Sequence, residues 1–185
     1  MNRIALAAAM IFAAAGSALA GDTASSRFFD GLRGLCGKSF EGRVVTTDPA
    51  DKAFEDKRLV MRVAACSDSE VRIPFAVGED RSRTWVITRL DRGLRLKHDH
   101  RHEDGTEDVL SQYGGDTVTG GTATRQEFPA DAFSKTLFKE KGNPASVTNV
   151  WAVEVTQTMF AYELRRPNRH FRVEFDLTKP LPAGS

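Results

Sequence analysis

From Phe40 onward, apolar side chains recur at every second position in short runs, and this period restricts the fold more than any other feature. Phe40, Gly42 and Val44 alternate with Glu41 and Arg43. Leu59, Met61, Val63 and Ala65 alternate with Val60, Arg62 and Ala64, and Val71, Ile73, Phe75 and Val77 with Arg72, Pro74 and Ala76. Successive side chains of a strand point to opposite faces, so a period of two marks strands with one face in a core. Residues 84–90 are β-branched and aromatic, and Leu94 and Leu96 alternate with Arg95 and Lys97. Further strand-like runs cover 107–113, 117–128, 148–157, 159–166 and 169–177. Turn formers such as Ser67-Asp68-Ser69, Asp91-Arg92-Gly93 and Asp104-Gly105 divide them. About ten short strands in sequence, with short connections, predict an all-β, antiparallel up-and-down sheet. Closing such a sheet into a lipocalin-like barrel of about 8–10 strands removes its edges. Helices of about 10–15 residues between strands are missing, which disfavours a parallel α/β fold. The interior of a barrel this size is either filled by side chains or holds one small ligand.

Two segments depart from the period. Between Ala24 and Leu35, Phe28, Leu32 and Leu35 fall on one helical stripe, with Ser25 or Ser26 as cap and Gly37 as the stop. Around 130–139, Phe133, Leu137 and Phe138 suggest a short helix or turn. The first twenty residues are of another kind: Arg3, a nearly unbroken apolar stretch from Ile4 to Ala15, then small residues up to Ala20. That pattern predicts a secretory signal peptide cleaved between Ala20 and Gly21, too short to span a membrane. The expected layout is 1–20 signal, 21–37 an N-terminal segment with a short helix, 38–178 the barrel and 179–185 a tail. No later apolar run is long enough for a transmembrane helix.

Export gives the two cysteines a meaning. An isolated pair, Cys36 and Cys66, in a secreted or periplasmic protein is expected to form a disulfide. Charge removes one class of partner. Without Arg3 the chain carries 25 basic and 25 acidic side chains and no net charge, whereas nucleic-acid binders gather a basic excess on one face.

The start Leu35-Cys36-Gly37-Lys38-Ser39-Phe40-Glu41-Gly42, the segment Lys97-His98-Asp99-His100-Arg101-His102-Glu103-Asp104-Gly105, Tyr113-Gly114-Gly115 and the end Phe171-Arg172-Val173-Glu174-Phe175-Asp176-Leu177 together resemble a group of uncharacterised secreted bacterial proteins. The strand count is similar to lipocalin, fatty-acid-binding-protein and nitrobindin-like barrels. The resemblance implies architecture and no particular ligand. The lipocalin Gly-x-Trp is absent, its place taken by Gly37-Lys38-Ser39-Phe40.

Asp104-Gly105 predicts a two-residue type I′ hairpin turn. That turn would place His102 opposite Glu107, His100 opposite Val109, His98 opposite Ser111 and Leu96 opposite Tyr113. Alternation then puts His98, His100 and His102 on one face, joined by Glu107 and Tyr113. These five residues are the candidates for lining a ligand pocket or binding a divalent metal, since imidazoles at i and i+2 with a carboxylate can hold one ion. His100-x-His102, Glu107 and Gly114 also match part of the first cupin motif, without the second. His170 lies on a strand whose Phe171, Val173 and Phe175 take the other face, and is expected to point away from the core. Trp85, Trp151, Phe160 and Tyr162 read first as core or barrel lining. Neither Gly114-Gly115 nor Gly120-Gly121 opens a helix after a strand, so both read as strand bends. No nucleophile motif such as Gly-x-Ser-x-Gly is present, and no catalytic residue is assigned. The expectation is a non-enzymatic module binding a small, mainly apolar ligand and needing no cofactor. The alternatives are a metal-binding protein or metal-dependent enzyme built on the histidine row, and a structural or partner-binding module of the cell envelope.

Overall fold

The structure, a computed structural model, describes residues 23–182; the expected signal segment and the Ala20–Gly21 bond lie outside them. Helix α1 (Ala24–Arg33) comes first, capped by Thr23, whose hydroxyl accepts the Ser26 amide at 3.1 Å. Its Phe28, Phe29 and Leu32 are fully buried. Eleven strands follow. These are β1 (Ser39–Val44), β2 (Leu59–Arg62), β3 (Ala65–Cys66), β4 (Glu70–Val77), β5 (Asp80–Arg89) and β6 (Leu94–His100). Then come β7 (Tyr113–Asp116), β8 (Arg125–Pro129), β9 (Val150–Val155), β10 (Met159–Arg166) and β11 (Arg169–Asp176), with helix α2 (Ala132–Glu140) between β8 and β9.

All pairings are antiparallel, in the order β7-β6-β5-β4-β2-β1-β11-β10-β9-β8, and β3 adds to β4. This is the expected antiparallel barrel, nearly closed, with one more strand than the upper expectation. The extra strand comes from the 59–65 run, which breaks at Val63: the Val63 amide turns to the Lys38 carbonyl and the Ala64 amide to Arg72. Cys36 and Cys66 are joined by a disulfide, with Cα atoms 6.2 Å apart. It ties the segment after α1 to β3 and β4.

No ladder joins β7 to β8. The seam is closed instead by the start of α2. Fully buried Ser134 accepts the Gly114 amide at 2.7 Å and donates to the Gly114 carbonyl at 2.9 Å, and the Asp131 amide donates to the same carbonyl at 2.9 Å. A β-carbon at Gly115 would lie 1.8 Å from the Pro129 carbonyl oxygen, so only glycine permits this approach. The Gly114-Gly115 pair is thus the closure of the barrel.

The interior is packed with rings. Trp85 stacks on Phe75 at 4.7 Å and on Tyr162 at 4.4 Å, while Phe160 and Phe175 meet edge to face at 5.8 Å. Trp85, Trp151, Phe160 and Tyr162 are all buried, as their aromatic character suggested. Outside, the strands carry paired charges. Buried Glu163 on β10 accepts Arg125 at 3.1 Å and Arg172 at 3.0 Å; burial pushes its carboxyl up, and these guanidiniums hold it below the usual range. His170 is on this outer face, 3.8 Å from Glu163.

The two barrel ends differ. At the Leu94 end, α1 closes the mouth: Arg89 reaches Asp30 at 2.8 Å and lies over the Phe29 ring. At the His100 end the cover is a strap, residues 45–58, which holds Phe54 against Phe171 at 4.8 Å and is anchored by buried Asp51 to Arg169 at 2.6 Å.

Candidate functional site

β6 runs from one barrel end to the other, with Leu94, Leu96 and His98 buried along its inner face. The same row carries the chemistry of the His100 end. His98 is 2% exposed. Its Nδ1 is 3.0 Å from the Tyr113 carbonyl oxygen and its Nε2 is 2.7 Å from the Tyr162 hydroxyl. A carbonyl only accepts, so this network assigns the proton to Nδ1 and makes Nε2 the acceptor of the Tyr162 hydroxyl. Burial pushes the His98 pKa down to about 3, and the nearby His100 and Lys97 push the same way. Both ring nitrogens are engaged. His98 is therefore a neutral rivet between three strands, without a free lone pair for a metal or a substrate proton.

His100 is half-buried, with Nε2 3.1 Å from the Tyr113 hydroxyl. Burial and then the Arg83 guanidinium lower its pKa, against Asp108, Asp80 and Asp99. Burial pushes the Tyr113 hydroxyl up to about 12 and, with the proximity of Tyr113, holds the Tyr162 hydroxyl well above its ordinary value. Both are phenols, not phenolates, at neutral pH. Tyr113 also stacks on His98 at 4.5 Å.

His102 and Glu107 do not join this group. The expected type I′ turn needs positive φ at both Asp104 and Gly105, and only Gly105 has it, at 83°. The turn is instead closed by the Gly105 amide on the His102 carbonyl at 3.0 Å, with the Asp104 carboxylate accepting the Thr106 amide at 2.9 Å. The register slips by one residue, so Glu107 faces Arg101 rather than His102. A one-residue slip moves a side chain to the other face of the sheet. Glu107 consequently sits outside, accepting the Gln112 side-chain amide at 2.7 Å. The expected 107–113 strand does not form: after the single bridge at Glu107 the chain bulges from 108 to 112, turns at Gln112 with φ 58°, and re-enters the sheet at the start of β7, with Tyr113 opposite His98 rather than Leu96. His102 is exposed beyond the barrel, 3.9 Å from Asp108. Among the described residues no group of three or more His, Cys, Asp or Glu is placed to hold a metal ion.

Two participants were absent from the candidate set. Tyr162 arrives from β10; its aromatic character marked it as barrel lining, but nothing local in the sequence announces His98 as its partner. Arg83 had a signal, because it shares the alternation of Trp85 and Ile87 and so belongs to the inner face. It pairs in register with His100, and its Nη2 binds Asp80 at 2.8 Å. Its Nη1 is buried with no hydrogen-bond partner. Asp80 and His100 both line an open cavity of about 800 Å³, bordered by Ser82, Arg101, His102 and Asp108.

The fold and this site define a nearly closed antiparallel β-barrel with one apolar plug and one ionisable mouth. Comparison with protein-family models, with curated proteins and with solved structures finds no match.

Proposed function

We propose that this is an exported, non-catalytic module that binds a small molecule at the His100 end of its barrel. The observation that carries the reading is the open cavity of about 800 Å³ lined by Asp80, Ser82, His100, Arg101 and His102, at the end where α1 does not plug the barrel. Small-molecule sites orient their ligands with a few convergent polar groups, and the lining of this cavity is polar and charged throughout. The aromatic centre leaves the ligand to the mouth, where polar recognition takes the place of the mainly apolar ligand expected from the barrel fold. Export is supported by the Cys36–Cys66 disulfide, which persists in oxidising compartments, and by the character of residues 1–20. No helix among the described residues is long and apolar enough to cross a membrane.

Amide chemical shifts during titration with a library of small fragments test the reading. Changes centred on residues 79–83 and 99–103 are expected; changes confined to α1 and the Leu94 end would overturn it.

A further inference from the structure

A second cavity, of about 530 Å³, opens at the Leu94 end beside the α1 plug, between the start of α1, the β5–β6 turn and residues 117–120. We propose that it binds the phosphate group of a small phosphate monoester, at a site separate from the His100 mouth and independent of the reading above. The start of α1 supplies donors. A helix leaves its first amides without intrahelical acceptors and carries a partial positive charge there, which suits an oxyanion. Thr23 spends its hydroxyl on the Ser26 amide at 3.1 Å and its carbonyl on the Arg27 amide at 3.0 Å, so the amides of Ala24 and Ser25 remain. No acidic residue stands in the first turn. The Ser25 side chain is a second, independent sign. It lies on the inner face of α1 with Phe28, Phe29 and Leu32, is only 8% exposed, and lines the cavity. Its hydroxyl has no hydrogen-bond partner among the described residues, yet it is not one of the sealed polar atoms of the interior. A hydroxyl so deeply placed costs free energy until something pairs with it.

Three charged side chains line the cavity: Arg89, Arg92 and Asp91. Arg89 is bound to Asp30 at 2.8 Å, and Asp30 is itself shared with Arg33 at 3.9 Å. Arg92 and Asp91 are both exposed, and neither makes an ion pair among the described residues. Asp22 adjoins the cap in sequence and lies outside the described residues. The lining therefore carries one net positive charge before the helix end is added, and Asp91 is the single group in it that opposes an anion. Amides, a hydroxyl and guanidiniums reach the cavity from different elements. A phosphate, with several acceptor oxygens pointing in three dimensions, can take all of them at once, whereas a carboxylate offers two oxygens in one plane. Leu90 and Val118 in the same lining give the carbon skeleton of an ester an apolar flank.

Titration of the purified protein with glycerol 3-phosphate tests this, followed by amide chemical shifts at neutral pH and constant ionic strength. Glycerol and acetate serve as the uncharged and the planar counterparts. Saturating changes are expected at Ala24, Ser25 and residues 90–93 and 117–120, with the phosphate bound about tenfold or more tightly than either counterpart. Ser25→Ala and Arg92→Gln should each weaken it about threefold or more, and Asp91→Asn should tighten it. Near-UV circular dichroism establishes that each variant is folded; Arg92 and Asp91 are exposed, so the charge arm stands even where Ser25→Ala disturbs α1. Co-sedimentation with phosphatidylcholine vesicles containing phosphatidic acid separates the two sources of such a group. Protein left in the supernatant identifies a soluble ester, and sedimentation lost in Ser25→Ala identifies a lipid headgroup. Acetate bound as tightly as glycerol 3-phosphate would overturn the phosphate assignment. Affinity unaltered by both Ser25→Ala and Arg92→Gln, or no saturating change in these segments, would overturn the site itself. None of these outcomes touches the His100 mouth, whose own test reads residues 79–83 and 99–103.

Discussion

The two ends of the barrel are built from the same strands and solve opposite problems. At the Leu94 end, α1 lays Phe28, Phe29 and Leu32 across the opening, all fully buried, and the disulfide ties the adjoining chain down. At the His100 end, the inner row changes from Leu94 and Leu96 to His98 and His100, and the opposite strand supplies Arg83. Apolar burial at one end gains stability roughly in proportion to area, with no directional demand. At the other end each buried polar atom needs a particular partner. Tyr113 and Tyr162 supply most of these, and Arg83 Nη1 is left without one. The contrast separates an end whose apolar contacts hold the fold from an end that leaves the buried Nη1 of Arg83 unpaired.

The sharpest way to break that contrast is to damage the plug. Phe28→Ala leaves a cavity under α1 and is expected to cost about 3–5 kcal/mol by urea unfolding, with the amide shifts of the His98–Tyr113 region unchanged in the folded protein. A loss below 1 kcal/mol would mean that α1 is ornamental. Reducing Cys36–Cys66 comes next: across a sequence separation of 30, the chain-entropy account gives about 3–4 kcal/mol. The check is the unfolding midpoint with and without reductant. An unchanged midpoint would remove the disulfide from the description of that end.

The polar end should instead be sensitive to acid. In the unfolded chain His98 takes up a proton near pH 6.5, whereas the folded site resists protonation down to about 3. Its contribution is therefore whole above about pH 6.5 and is lost as pH falls from there toward 3. The loss is about 3 kcal/mol between pH 7 and pH 4. Carboxylates also lose stability in acid, so the informative quantity is the difference between the parent protein and His98→Gln. The variant should show a flatter pH dependence of its urea midpoint, and parallel curves would refute the buried neutral histidine. The smallest effects belong to the outer part of the row. His102→Ala and Glu107→Ala, at exposed positions, should each change stability by less than about 0.5 kcal/mol. One equivalent of zinc should leave the parent melting temperature unmoved. A clear zinc-dependent rise abolished by either substitution would return both residues to a metal site.

Much of this architecture is local information. Alternation names the inner face of almost every strand, because a pleated strand admits only two directions for a side chain. For that reason Trp85, His98 and Val173 face inward as their spacing requires, and His170 faces out. The stripe of Phe28 and Leu32 likewise declares α1, and two lone cysteines in an expected exported chain declare their own bond. What tertiary structure alone decided is register and partnership. Asp104-Gly105 suits more than one hairpin turn, and the turn adopted differs from the expected one in the sign of φ at Asp104. The one-residue slip that follows sends Glu107 to the outer surface, and the bulge at 108–112 brings Tyr113 onto His98. Tyr162 reaches His98 across a separation of 64 residues. No local propensity encodes that meeting, which exists only because closing the barrel carries β10 to the far wall facing β6.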